Sequence, residues 1–163
     1  MQSPIGHTIL TENSSTANHT PGEVIEIVGS AGLKRYKYIN FDNGADNVAA
    51  LAGGVAFMMG STNFDGSTVT MDLSSSKANN AIGVFQRVLT DGYYGWVQTW
   101  GQYSAVLTNG DDDIAAGDSV WAVGDGTVNS DAAGTAPKYK VVGWAISDDV
   151  NASNTVDTYL TLE

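Results

Sequence analysis

Apolar and polar side chains alternate in short stretches along most of the chain, and turn residues separate these stretches. In the segment TVDTYLTL (155–162), one face carries Val156, Leu160 and Leu162, and the other carries Asp157, Tyr159 and Thr161. Because successive side chains of a strand point to opposite faces, this pattern predicts a half-buried β-strand.

Ten segments carry strand patterns of this kind, and Gly, Asp or Asn turns separate them. In chain order they are EVIEIVG (23–29), KRYKYINF (34–41), VAFMMG (55–60), TVTMDL (68–73), the two halves of a hairpin within 81–101, SAVL (104–107), SVWAV (119–123), KYKVVGWAI (138–146) and TVDTYLTL (155–162). One short helix is predicted over Asp46–Leu51, with Gly53-Gly54 as its stop signal. The predicted fold is therefore all-β, a β-sandwich or barrel-like module of about ten short strands with one short helix and an extended N-terminal arm.

The hairpin AIGVFQRVLTDGYYGWVQTWG (81–101) is the segment richest in aromatic side chains. A two-residue turn at Asp91-Gly92 would place Arg87 opposite Trp96 and Gly83 opposite Trp100, so that a guanidinium could stack on an indole.

Both faces of the second hairpin strand carry large apolar groups, with Tyr94, Trp96 and Trp100 together on one of them. The strand is therefore predicted to be central, or to turn its second face towards a partner. These three residues are candidate partner-contact residues.

Two regions are predicted along the chain, an extended arm over residues 1–22 and a single β-domain over residues 23–163. The polar run TENSSTANHTPG gives the arm too little apolar surface to fold by itself. Its aliphatic residues Ile5, Ile9 and Leu10 complete the set of candidate partner contacts.

Charge and composition exclude several classes of function. The formal net charge is −11 with seven Lys and Arg, which argues against nucleic acid as a partner because phosphate binding needs clustered cations. No apolar run approaches the length of a membrane span, and no signal-peptide pattern begins the chain, so we expect no membrane partner and synthesis in a cytoplasm. The chain contains no cysteine.

No set of reactive residues is evident. His7 and His19 both lie in the predicted arm, where a general base would lack a fixed position. Asp111-Asp112-Asp113 and Asp118 form the densest acidic cluster, but their spacing does not match an EF-hand loop, so we interpret it as a solvated turn, with Ca²⁺ binding left open. The prediction is a protein that is not an enzyme, without catalytic residues, metal ligands or cofactors.

The order of several motifs resembles that of the small head decoration, or capsid cement, proteins of tailed bacteriophages. The motifs are NVAALAG (47–53), AIGV (81–84), DGYYGWVQ (91–98), WG (100–101), AGD (116–118) and VGWA (142–145), and the resemblance spans residues 45–162. It implies a non-enzymatic virion protein that is made in the host cytoplasm and binds the outer surface of the capsid. The implied partners are the major capsid protein and further copies of this chain, most commonly in a trimer, with the arm ordering on the capsid surface.

A carbohydrate-binding or host-recognition β-module, from a tail fibre or surface protein, is the alternative. It predicts solvent-exposed, coplanar rings among Trp96, Trp100, Trp121 and Trp144, because sugars stack on flat aromatic surfaces. Burial of all four rings in one core would rule it out.

Overall fold

A computed structural model describes residues 10–59, 66–110, 114–130, 140–149 and 154–162, with the backbone alone for residues 76–79. Across these ranges the chain forms ten strands in one mixed sheet and no helix, which confirms the all-β prediction. The strands are β1 (Val24–Gly29), β2 (Gly32–Phe41), β3 (Val55–Met59), β4 (Thr68–Thr70), β5 (Ser76–Phe85), β6 (Tyr94–Leu107), β7 (Ser119–Ala122), β8 (Val128–Ser130), β9 (Val141–Ala145) and β10 (Thr155–Thr161).

The order of strands in the sheet is β1-β2-β4-β3-β5-β6-β10-β9-β7-β8, and β2 also pairs with β6. The strands β2, β4, β3, β5 and β6 therefore form a closed cycle of pairings, in which β2–β4 is parallel and the other pairs are antiparallel. These five strands make up the first half of the molecule. In the second half, β10 pairs with the last part of β6, and β9, β7 and β8 follow β10 in that order.

Strand β6 belongs to both halves of the molecule because its two parts pair with different strands. Its first part pairs with β2 and β5, and its second part pairs with β10. Where the two parts meet, Gly101 has a φ of 90°, and the buried side-chain Nε2 of Gln98 donates to the carbonyls of Trp100, Gly101 and Gln102, each at 3.1 Å. The segment SAVL, predicted as a separate strand, is thus the end of β6.

Two large hydrophobic clusters fill the two halves of the molecule. The first half encloses Ile39, Phe41, Ala50, Ala56, Val69, Met71, Phe85, Leu89 and Val97. The second half is centred on Val106, Val120, Val142, Val156 and Leu160, and it also takes in Val55 and Phe57 of β3. Alternation within each strand directs these side chains inward, as the period-2 pattern of β10 predicts.

The predicted helix over Asp46–Leu51 is absent, and residues 46–51 form a turn and irregular chain instead. Asn47 has a φ of 56°, which no α-helix accommodates, and the amide of Val48 donates to the carbonyl of Asn43 at 2.9 Å. The loop is also bound to the buried carboxylate of Asp72, which accepts a hydrogen bond from the amide of Asp46 at 3.1 Å. Such tertiary hydrogen bonds outweigh the weak propensity of a six-residue segment.

The predicted register of the 81–101 hairpin is wrong by one residue. Val84 pairs with Gln98 and Phe85 with Val97, whereas the two-residue turn would have paired Phe85 with Gln98. Asp91 and Gly92 do lie in a turn, closed by the amide of Tyr93 donating to the carbonyl of Thr90 at 3.0 Å. However, the amide of Gly92 binds the carbonyl of Phe41 in β2, so β2 shapes this loop.

The slipped register removes both predicted cross-strand contacts, since a shift by one residue reverses the face of every side chain. Arg87 donates to the carbonyl of Thr11 and does not stack on Trp96. Trp100 pairs with Arg35 and Thr161, and not with Gly83. Strand β8, Val128–Ser130, has no counterpart among the predicted strands.

Candidate functional site

Residues 10–22 lie against the chain's own sheet, over the face where Tyr38, Tyr94 and Trp96 meet. Ser14 and Tyr94 exchange backbone hydrogen bonds of 3.2 and 2.8 Å, and the amide of Gly22 donates to the carbonyl of Tyr38 at 2.8 Å. This segment therefore covers the second face of β6, which the sequence left open to a partner.

The imidazole of His19 lies between two aromatic rings of this face. Its centroid is 5.1 Å from those of both Tyr38 and Trp96, each in an edge-on arrangement, and Nδ1 lies 3.5 Å from the carboxylate of Glu23. Trp96 is 1% exposed. It is not available to a partner while residues 10–22 stay in place. We term the group in which it packs the aromatic cluster (Tyr36, Tyr38 and Trp96, with the partly buried Leu10, Ile25, Ile27 and Tyr94).

The hydroxyl of Tyr38 joins the same segment to β2. It donates to the carboxylate of Glu12 and accepts a hydrogen bond from the amide of Asn18 at 3.1 Å. Burial and the hydrogen bond to Glu12 raise the pKa of Tyr38 to about 12, so the phenol stays protonated as the donor at physiological pH.

The predicted contact residues thus divide into three groups. Leu10 and Tyr94 are partly buried in the aromatic cluster, and Trp96 is fully buried in it. Ile5 and Ile9 lie outside the described residues. Trp100 lies elsewhere, beyond the bulge where β6 passes Arg35 of β2.

Trp100 is part of a row of side chains that crosses four neighbouring strands, which we term the aromatic stripe (Arg35, Trp100, Tyr159 and Trp144). The guanidinium carbon of Arg35 lies 5.6 Å from the centroid of Trp100, and Trp100 meets Tyr159 edge-on at 5.9 Å. Tyr159 then stacks on Trp144 with a centroid separation of 5.0 Å and an angle of 7°. The register explains the row, because Arg35 is opposite Trp100 and Tyr159 is opposite Trp144.

The aromatic stripe reaches solvent at its Trp144 end. Trp144 is 45% exposed, and Val141 and Ile146, within three residues of it in the chain, are also exposed. Tyr159 is on the predicted outer face of its strand, but neither Tyr159 nor Trp144 is among the predicted partner-contact residues. The alternation in β10 could have identified Tyr159 as an outward-facing residue. Its contact with Trp144 could not be predicted, because the sequence does not show that β9 and β10 are neighbours.

The ionisable groups that could suggest chemistry have structural partners. The carboxylates of Asp118 and Asp148 accept hydrogen bonds from the amides of Ala115 and Ala116, at 3.0 and 2.8 Å. Within the ranges that the structure covers, no three His, Asp or Glu side chains are placed to hold a metal ion. Asp111, Asp112 and Asp113 lie outside the described residues.

No protein-family model matches the chain, and no curated protein is significantly similar to it. Among the residues described, there is no helix of sufficient length and apolar character to cross a membrane.

Proposed function

We propose that the protein is a structural virion protein of a tailed bacteriophage, a capsid decoration (cement) protein that binds the outside of the head and bridges major capsid subunits. The observation that carries this proposal is the aromatic stripe, whose exposed end has the chemistry of a protein-binding surface. The resemblance of the motifs between residues 45 and 162 supplies the biological setting.

The composition of the aromatic stripe supports protein binding. Trp, Tyr and Arg are the residues most enriched at the energetic centres of protein interfaces. Here they are held rigid by stacking on one another across paired strands, so ordering them on a partner costs little conformational entropy. Trp144 itself keeps 45% of its surface exposed at one end of the aromatic stripe.

The function follows from linkage between binding and shell stability. A protein that binds the expanded lattice more tightly than other states stabilises that lattice by mass action. Contacts repeated over one shell, or through a trimer of this chain, add by multivalency. The partners are therefore the major capsid protein and further copies of this chain, and the barrel-like form of the fold, supported by the closed cycle of pairings, belongs to the same proposal.

Residues 10–22 and residues 1–9 have different roles in this proposal. The first segment covers the aromatic cluster of its own domain through Glu12 and His19. Ile5 and Ile9 are left as the capsid contacts of the arm, so we expect the double variant Ile5→Ser/Ile9→Ser to weaken capsid binding and leave the fold unchanged.

The test is co-sedimentation with expanded heads of the phage that encodes the chain. Wild-type protein should saturate the heads at a number of copies that matches lattice positions. Trp144→Ser should lower the affinity at least about tenfold, as expected for a central interface Trp. Val28→Ser is the matched control, because Val28 is 73% exposed on β1 and lies outside the aromatic stripe.

Two results of this experiment would count against the proposal. Failure of the wild-type protein to bind expanded heads would contradict the proposed capsid function. Equal binding by Trp144→Ser and wild type would show that the aromatic stripe is not part of the interface.

The alternative proposal, a carbohydrate-binding module, is favoured by the parallel arrangement of Trp144 and Tyr159. It is weakened by their stacking, since each ring covers one face of the other and a sugar platform needs open ring faces side by side. Glycan-array binding that disappears in Trp144→Ser, with no binding to phage heads, would favour this alternative.

A further inference from the structure

A cavity of about 640 Å³ lies at one end of the closed cycle of strands. Arg35 and Lys37 lie near the start of β2, Ile82 just past the middle of β5, Met58 near the end of β3, and Thr99 in β6 where its pairing with β2 ends. Antiparallel neighbours bring these positions to the same end of the cycle. The mouths of closed sheets are common ligand sites.

Positive charge is concentrated in this cavity. Of the five Lys and Arg side chains that the structure describes, three line it, namely Arg35, Lys37 and Lys140, although the chain has a net charge of −11. Among the lining residues that the structure describes, Glu26 is the one acidic residue, so this part of the lining carries a net charge of +2. Its carboxylate binds Nε of Arg35 at 2.7 Å.

The Lys140 ammonium is held at the cavity wall. Nζ donates to the carbonyl of Ala81 at 2.9 Å, and because an ammonium has three donors it can contact a ligand oxygen as well. Burial lowers the pKa of Lys140, so an entering anion would restore part of the lost electrostatic stabilisation of its charge.

The rest of the wall is largely apolar, with two neutral polar residues, Asn80 and Thr99. Val24, Met58, Ile82 and Leu162 supply aliphatic and thioether surface. Asn80 donates its amide to the sulfur of Met58 at 3.8 Å, a weak hydrogen bond that a ligand oxygen could replace. A ligand that fits both parts of the wall has an apolar body and one anionic end.

We propose that this cavity binds a carboxylate carried on a short apolar stem, either a small free acid or an acidic side chain of a peptide. A carboxylate fits better than a phosphate, because Arg35 already binds Glu26 and lies over Trp100. The volume is within the usual range for small-ligand sites. This proposal does not depend on capsid binding, and its test uses the isolated full chain.

The first measurement is titration of the protein with octanoate, followed by calorimetry and by the methyl resonance of Met58 in protein labelled at its methionine methyl groups. We expect saturable binding with a Kd of about 1 mM or tighter. Octanol has the same stem without the charge, and it should bind at least about tenfold more weakly.

An acetylated hexapeptide with adjacent Leu and Glu residues tests the second source of the same chemistry. Tighter binding of this peptide than of octanoate would identify a peptide side chain as the ligand, and the reverse order would identify a free acid. Both results support the proposal.

Charge removal then locates the site. Lys37→Met and Lys140→Met keep most of the side-chain volume, and each should weaken binding about tenfold, as expected for a charge-assisted hydrogen bond. Lys34→Met is the matched control, since Lys34 is on the same strand but does not line the cavity. It should bind as wild type does.

Three results would overturn the proposal. The first is that neither octanoate nor the hexapeptide saturates the protein up to about 10 mM. The second is equal binding of octanol and octanoate, and the third is unchanged binding in both Lys37→Met and Lys140→Met. The first two use wild-type protein alone, so the test does not depend on how well a variant folds.

Discussion

Trp144 of β9 stacks on Tyr159 of β10 with a centroid separation of 5.0 Å and an angle of 7° between the rings. The two residues are direct cross-strand partners, so the pair is built by strand register alone. Each ring covers one face of the other, yet Trp144 keeps 45% of its surface exposed. A rigid, partly exposed indole is a suitable anchor for a partner.

We expect the two tryptophans Trp144 and Trp96 to differ strongly in their contribution to stability. Trp144→Ala should lower the free energy of unfolding by about 1 kcal/mol, the value of one exposed aromatic pair. Trp96→Ala should lower it by about 3–5 kcal/mol, because it leaves a cavity in the aromatic cluster. Urea unfolding followed by circular dichroism measures both. Similar losses in the two variants would contradict the assigned burial.

Replacing His19 by Ala should release residues 10–22 from the sheet. The variant loses edge-on contacts with Tyr38 and Trp96, together worth about 1–2 kcal/mol. Hydrogen exchange and limited proteolysis of this segment should therefore become faster than in wild type. Thr16→Ala, at an exposed position of the same segment, is the control. Unchanged exchange in His19→Ala would show that other contacts hold the segment.

The buried carboxylate of Asp72 should make stability depend on pH in the acid range. Burial alone would raise its pKa, but hydrogen bonds from the hydroxyls of Ser74 and Ser75, and from backbone amides, lower it well below the ordinary value. The unfolded state therefore takes up the proton first. The stabilisation by Asp72 is complete above about pH 4 and is lost as pH falls towards the folded-state pKa.

Asp72→Asn tests this dependence. At pH 7 we expect a loss of about 2–3 kcal/mol, because charge-assisted hydrogen bonds to a buried group are removed. The difference between variant and wild type should shrink between pH 4 and pH 2. Urea midpoints at several pH values give the comparison, and a difference that stays constant down to pH 2 would contradict the mechanism.

The close approach of β9 and β10 depends on Gly143. A Cβ atom at this position would overlap the carbonyl oxygen of Tyr159, which belongs to the backbone and cannot rotate away. Gly143→Ala should lower the free energy of unfolding by about 3 kcal/mol. Gly29→Ala is the control, because a Cβ there meets nothing within 4 Å. Equal stability of the two variants in thermal unfolding would refute this account.

The strands could be predicted from the sequence because their signal is local. In β10, Val156 and Leu160 are buried while Asp157 and Tyr159 are partly exposed, as the alternation predicted. The absence of a helix at residues 46–51 and the register of the hairpin could not be predicted. Both depend on contacts with residues distant in sequence, Asp72 in the first case and Phe41 in the second.

At the candidate site, too, the strand pattern could be predicted from the sequence, but the burial of individual side chains could not. Trp96 and Trp144 both occur in alternating strand segments, and the sequence gives no reason to bury one and expose the other. The sequence alone determined the strand content, the outward direction of Tyr159, the low number of cations and the scarcity of reactive side chains. Only the tertiary structure decided that residues 10–22 cover Trp96, that Trp144 meets Tyr159, and that Arg35, Lys37 and Lys140 line one cavity. The physical reason is that alternation fixes the face on which a side chain lies, whereas its burial depends on which distant segment packs against that face.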